Sequence, residues 1–454
     1  MKKSIFAAFI FLTSVSMFYS QSYSAVKQDN FLKDFVSKNW TASDGLPGNT
    51  ITDVMQDDTG YLYIGTYDGL VRFDGVEFVT YNKTYRDDYN FVSARSIMQD
   101  SRGVLWVGAN DEGITAIFKD GSCRKFSTDE GLPNNSVRAI EEDNEGNIWV
   151  GTASGVVYIT PGLEVVRPSG LEKFNEENIL VCNIFCDTAG RIWIASPEEN
   201  GLFVYTNRNF EIYNRISKIE NPIVTYVTQD NSGALWFGVS PHYAVKVTGS
   251  SEIVYDIAPE GSNSTLVNTI CQDSSSNIWF AMDRGVSVLH GGEFSFLNLD
   301  SELANEKVAK IMEDREGNIW LATDRNGLQR LSRSKFKTTT MNTSVNAICE
   351  DAGRNVIWIG ADNGLYCVQN DEFIENILTE YCRNVRIRDV IMAPDGSVLV
   401  SAYEKLGYVR MDPEGKIFSI TKDDGLTGNK IRVSMQAADG NVYVGTTNGL
   451  NIIK

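Results

Sequence analysis

The chain has 454 residues, 42% hydrophobic and 22% charged, which is enough apolar material for one large or two medium domains with packed cores. The formal net charge of -18 repels phosphate backbones and argues against nucleic acid as a partner. The charges are spread along the chain and read as a solubilising surface, with no long disordered tail.

At the N-terminus, Lys2 and Lys3 precede an apolar stretch from Ile5 to Phe18 and a polar region ending near Ala25. This is the pattern of a secretory signal peptide over residues 1–25. The apolar run is interrupted by Thr13, Ser14 and Ser16 and falls short of the roughly 20 residues of a membrane span, so an uncleaved anchor is the lesser alternative. Export to the periplasm or the extracellular face of the cytoplasmic membrane is expected. No later segment is long and apolar enough for a spanning helix, so contact with a membrane would come through that anchor or through further C-terminal sequence.

Residues 31–42 read as a strand leading into Asp44-Gly-Leu-Pro47. From there a repeat dominates. Trp recurs at 106, 149, 193, 236, 279, 320 and 358, at intervals of 38–44 residues, and Tyr63, Leu399 and Tyr443 extend the series to ten units. The unit around Trp149 shows the order of signals: an apolar strand Val137–Ile140, a turn Asp143-Asn-Glu-Gly146, a strand Asn147–Thr152, a turn at Ala153–Gly155, a strand Val156–Ile159, and an outer strand. Four short strands per unit of about 43 residues is the period of one propeller blade. The second strand is apolar on both sides, with Ile148 and Val150 opposite Trp149, as a sheet sandwiched between two others requires. The fold expected is therefore all-β, a β-propeller of four-stranded blades, with Tyr63, Trp106, Trp149, Trp193, Trp236, Trp279, Trp320, Trp358 and Tyr443 in the blade cores. Gly151 would let the neighbouring blade approach closely.

Gly45-Leu-Pro-Gly-Asn-Thr-Ile51, Gly131-Leu-Pro-Asn-Asn-Ser-Val137, Gly317-Asn-Ile-Trp-Leu-Ala-Thr323 and the looser Gly425-Leu-Thr-Gly-Asn-Lys-Ile431 resemble the two-component-regulator propeller repeat. The resemblance implies the extracytoplasmic ligand-binding region of a membrane-bound hybrid histidine kinase or diguanylate cyclase, with residues 335–454 closest to the latter. In such receptors a β-sandwich, a membrane helix and an output domain follow the propellers. This sequence shows none of these after Asn448-Gly-Leu-Asn-Ile-Ile-Lys454, so the chain is expected to be truncated relative to them. The implied function is a ligand-sensing input module; the alternative is a secreted scaffold that binds protein or glycan without signalling output.

Ring closure needs a blade that lacks its outer strand, to be completed by residues 31–42. The seventh unit qualifies, because Lys335–Thr340 runs almost directly into Val345 with no Gly-Leu-Pro loop. The expected organisation is a seven-bladed ring over 26–334 and three blades of a second ring over 335–454; a single ten-bladed ring is the alternative.

Catalytic and metal chemistry find little support. His242 and His290 are the only histidines, too few for a His-based metal site or a Ser-His-Asp triad. Asp100-Ser-Arg-Gly103 and its equivalents lack the alternating oxygens of a calcium loop and read as Asp-capped turns. A sialidase-like turn would place Asp two residues before the Gly, whereas here it stands three before. Seven cysteines make an odd set and read as small structural thiols. No enzyme activity, cofactor or metal is expected.

The loops after the second strands are mostly short. Departures occur at Asn110–Glu112 (Asn110, Glu112), at Glu198 and Glu199, at His242 and Tyr243, at Asp324, Arg325 and Asn326, and at Tyr403 and Lys405. Nothing in the framework requires them, so they are the candidate ligand-binding residues. Their mixture of Tyr, Asn, acids and Arg suits a small polar ligand such as an oligosaccharide; homodimerisation is compatible with such a module.

Overall fold

The computed structural model describes residues 31–82, 85, 86, 89, 91–170, 179–198, 201–258, 266–296, 306–334, 336 and 341–454. The expected signal segment, 1–25, and Glu199 lie outside them. The chain divides into two compact units, Met1–Phe336 and Lys337–Lys454.

Among the described residues of the first unit there are seven four-stranded antiparallel sheets. Their innermost strands are Ile51–Gln56, Ser96–Gln99, Val137–Glu142, Asn183–Cys186, Ile223–Gln229, Val267–Gln272 and Val308–Glu313. Each lies against the next, and Val308–Glu313 lies against Ile51–Gln56, which closes the circle. The outermost strand of the seventh sheet comes from the other end of the unit: Phe35–Trp40 pairs antiparallel with Leu328–Arg333, from Phe35 opposite Arg333 to Trp40 opposite Leu328. The segment expected as one strand over 31–42 begins with a 3-10 turn, Phe31–Asp34. That turn sets Phe31 and Phe35 6.1 and 5.6 Å from the Trp279 ring.

Packing follows the two-faced second strands. Trp106 shares a core with Ile140, Ile148 and Val150 of the next sheet, and Trp149 passes the arrangement on to Ile184 and Ile194. Trp193, Trp236 and Trp279 repeat it, and Trp320 completes the circle against Val54 and Ile64 of the first sheet. Gly151 meets Val181 here: a Cβ on it would stand 2.5 Å from Val181 Cγ1. Gly151→Ala is therefore expected to cost about 1–3 kcal/mol by overpacking, read as a lowered midpoint in urea unfolding; an unchanged midpoint would count against this close approach.

The Asp turns, Asp-x-x-Gly in five sheets, Asp273-Ser-Ser-Ser276 and Asp351-Ala-Gly-Arg354 in two, do more than turn. In each, one carboxylate oxygen accepts backbone amides of the turn, as Asp143 Oδ1 does from Asn147 N at 2.9 Å, while Gly146 takes φ +78°. The other oxygen accepts the indole N–H of the blade tryptophan. This bond joins Asp100–Trp106, Asp143–Trp149, Asp187–Trp193, Asp230–Trp236, Asp273–Trp279, Asp314–Trp320 and Asp351–Trp358, at 2.7–3.3 Å. A buried N–H without an acceptor is costly, so the turn acid and the core indole form one structural unit. Burial would raise the Asp230 carboxyl, but hydrogen bonds from Ser232, Trp236 and Lys246 outweigh it and hold the group at about 2.

Two positions in the series are less deeply buried, Tyr63 among them packed against the core between the first two sheets. Tyr63 and Tyr443, expected in blade cores, stay half-buried. A phenol has no N–H to offer the turn; the Tyr63 hydroxyl instead meets that of Tyr81 at 3.4 Å. Tyr443 stands on the last sheet of the second unit. Leu399, which also replaces Trp, is buried.

The Gly-Leu loops are capped 3-10 turns. Thr41 with Asp44, Ser127 with Glu130 and Thr421 with Asp424 form reciprocal capping boxes, and the following Leu46, Leu132 and Leu426 are buried. The second unit has three sheets among its described residues, with inner strands Val345–Asp351, Arg386–Met392 and Ile431–Gln436 in sequence; the last sheet has three strands. Ile348 on the first of these, and Val433, Met435, Leu450 and Ile452 on the last, are exposed.

Candidate ligand-binding site

The inner strands of the first unit leave one edge facing the axis, where no strand can pair. Side chains from one sheet satisfy the backbone of the next instead. Asp53 accepts from Ile97 N (2.8 Å), Glu141 from Cys186 N (3.1 Å) and Asn183 from Val227 N (2.9 Å), while Thr225 donates to Val267 O (2.7 Å) and Thr269 to Ala309 O (2.9 Å). Lys310, 3.7 Å from Asp53, links the seventh sheet to the first. Burial pushes the Glu141 carboxyl up to about 7, and the neighbouring Asp53 carboxylate raises the Lys310 ammonium. The polar groups of this axis are thus engaged in holding sheets together.

The cysteines take part in the same packing. All seven are free. Burial pushes the Cys182 thiol up to about 12 and the Cys186 and Cys271 thiols to about 11, which makes them poor nucleophiles.

Loops after the second strands and segments leading into the inner strands meet on one face: Thr50 Oγ1 donates to Asp324 O at 2.6 Å, and Ala153 N to Ser136 O at 2.9 Å. In the first unit the candidate residues on this face stand on separate sheets. Asn110 accepts from Arg95 Nη1 (3.1 Å), and Glu112 pairs with Lys125 (3.0 Å), both within the second sheet. Glu198 is exposed. His242 lies 3.7 Å from Asp256 and beside the Tyr243 ring. Asn326 N donates to Thr323 Oγ1 and Asp324 N to Lys307 O at 3.0 Å, while burial raises the Glu306 carboxyl beside them. These contacts build loops and do not converge on one point.

Tyr403, in the second unit, is different. Four cationic groups surround its ring: Arg386 at 5.9 Å from the centroid, Arg388 at 5.4 Å, Lys430 at 5.4 Å and Arg432 at 5.5 Å. Two have counter-ions, Arg386 with Asp362 (2.7 Å) and Lys430 with Glu404 (3.2 Å). Arg388 and Arg432 form no ion pair among the described residues, and Arg388 Nε is buried without a hydrogen-bond partner. A hydrogen bond from Asn346, together with Arg386 and Arg388, holds the Asp362 carboxyl below its usual range. Beside the ring lies a cavity of ≈ 520 Å³ lined by Tyr403, Glu404, Lys422, Asn429, Lys430 and Asn448; Lys405 is exposed nearby in sequence.

Tyr403 and Lys405 stand out as a loop departure. The arginines around them do not, because they belong to inner strands. A signal was nevertheless present: Arg388 and Arg432 occupy the extra residue of the same register shift in consecutive repeats, between Ile387 and Asp389 and between Ile431 and Val433. A bulge re-aims the side chain it carries. Clustering unpaired cations is unfavourable unless an anion joins them.

Residues 45–68, 131–154 and 302–325 match the family described as two component regulator propeller. Among curated proteins, the chain is similar to histidine kinase P4 of Formosa agariphila, 38% identical over 66 residues, or 14% of this chain and 5% of that protein. The extracellular domain described as that of a hybrid two component system from B. thetaiotaomicron superposes over 92% of this chain and 59% of its own, with 20% identity and a TM-score of 0.70. A second such domain from B. thetaiotaomicron covers 92% of this chain and 66% of its own, with 17% identity and a TM-score of 0.54. Virginiamycin B lyase from Staphylococcus aureus covers 66% of this chain and 98% of its own, with 17% identity and a TM-score of 0.52. At these identities the structural likeness is one of fold, shared by sensor domains and a lyase alike. The chain spans about three fifths of the first of these structures and about one twentieth of the kinase. What the Asp–indole turns and Gly-Leu loops build is thus a β-propeller, three segments of which match the two component regulator propeller family.

Proposed function

We propose that this chain is the exported, ligand-sensing input region of a two-component or cyclic-di-GMP signalling receptor, and that it is not itself catalytic. The observation that carries the reading is the Tyr403 ring encircled by four cations in a chain of net charge -18. Such an arrangement recognises a polar ligand bearing carboxylate or sulfate groups: Arg offers paired donors to an oxyanion, and the ring offers a face for a sugar or another flat group. Similarity to extracellular domains of hybrid two component systems supports placing the site outside the cytoplasm. Among the described residues no helix is long and apolar enough to cross a membrane.

The test is a thermal-shift and calorimetric screen of anionic oligosaccharides against the whole chain. A binder is expected, and Arg388→Ala with Arg432→Ala should weaken it about tenfold or more, the loss of charge-assisted hydrogen bonds. A screen with no anionic binder, or one in which the double variant weakens none of the anionic binders, would overturn the site. Robust turnover of a glycosidase or lyase substrate would overturn the non-catalytic reading.

A further inference from the structure

On the first unit, between the first two sheets, lies a cleft of ≈ 650 Å³ built from departures from the repeat. Its walls carry Tyr61, Tyr63, Tyr81, Tyr85 and Tyr89, with Arg72 among them. Where the other sheets of this unit place an indole, this one has Tyr63, bonded to Tyr81. Tyr85 stacks on Tyr81 at 4.9 Å, with planes 10° apart, and is itself half exposed. The Arg72 guanidinium lies 4.5 Å over the Tyr61 ring.

The charges in this cleft are unequally satisfied. Asp57 is engaged by the Thr59 hydroxyl and by the Thr59 and Tyr61 amides. Asp58 accepts from Gln99 Nε2 at 3.0 Å, and Asp120 from Ser122. Arg72 and Lys119 also line the cleft, and neither makes an ion pair or side-chain hydrogen bond among the described residues. The acids accept hydrogen bonds from neutral groups, whereas Arg72 and Lys119 have no counter-ion among the described residues, so the cleft offers two cations to an anion. Open tyrosine faces present flat, amphipathic surface at low entropic cost.

We propose that this cleft is a second binding site, separate from the Tyr403 site, and that it takes a uronic-acid-containing oligosaccharide. The carboxylate would lie on Arg72 with Lys119 nearby, and a pyranose face would lie on the outer side of Tyr85.

Calorimetric titration of the whole chain with trigalacturonate and with neutral maltotriose tests this. The acidic trimer should bind saturably and at least about tenfold more tightly than the neutral one. Arg72→Gln and Tyr85→Ala should each weaken it about tenfold or more, with the thermal midpoint held within a few degrees. Arg388→Ala with Arg432→Ala should leave this binding within about twofold, which separates the cleft from the Tyr403 site. No saturable binding of trigalacturonate, equal binding of maltotriose, or undiminished binding by Arg72→Gln would overturn the proposal. Arg72→Gln keeps it falsifiable if Tyr85→Ala fails to fold.

Discussion

Trp149→Ala is expected to lower the free energy of unfolding by about 3–5 kcal/mol. The indole is buried among Ile184, Ile194 and Phe203 of the adjoining sheet, with the Tyr158 and Tyr205 rings 5.3 and 5.2 Å away. Removing it opens a cavity between two sheets whose strands are pinned by their own ladders and cannot collapse into it. The hydrogen bond is the smaller share. Asp143 Oδ2 loses the indole N–H at 2.8 Å but keeps Asn147 Nδ2 at 3.0 Å, so the carboxylate is not orphaned. Trp149→Phe, which keeps a six-membered ring in the slot and loses the donor with the rest of the indole, should cost less, about 1–3 kcal/mol. Urea unfolding of both variants reads the difference; equal losses, or an unmoved midpoint for Trp149→Ala, would contradict this packing.

Deleting the chain through Trp40 should cost more than any single substitution, about 5 kcal/mol or more. The deletion removes a six-residue ladder and leaves Leu328–Arg333 as an open edge. It also removes the Trp40 ring, buried in stacking contact with Trp320 at 5.3 Å and edge-on to Phe73 at 5.4 Å. That ring bridges the last sheet of the circle and the first. An unpaired edge beside exposed aromatic surface pairs with other chains, so the truncated protein should elute as aggregates and unfold at a lower temperature than a deletion ending at Asn30. A monodisperse truncated protein with an unchanged midpoint would mean that the circle does not depend on this strand.

Much of the architecture was legible because blade signals are local. An indole between two branched apolar residues, an Asp three positions before a Gly, and a Gly-Leu pair before the next strand each specify a few residues of backbone, and their recurrence specifies the stacking. The Asp–indole bond was within reach, since acid and ring are six residues apart in six of the seven pairs, yet spacing alone does not reveal which oxygen is free. Tyr63 continues the indole series by position and packs against the core beside it, but without an indole N–H its hydroxyl turns to Tyr81, with a cleft alongside.

The sites were less legible. Tyr403 and Lys405 stand out as an irregular loop, whereas Arg388 and Arg432 look like polar interruptions of apolar strands. Tyr61, Tyr85 and Arg72 carry no shared pattern at all. By itself the sequence determined the all-β class, the repeat, the turns and the indole cores, because these arise from contacts within one strand–turn–strand unit. Only the tertiary structure decided which sheet the first strand completes, which cations crowd one tyrosine and which cations lack a counter-ion. Those depend on distances between residues far apart in the chain, set by the curvature of the ring.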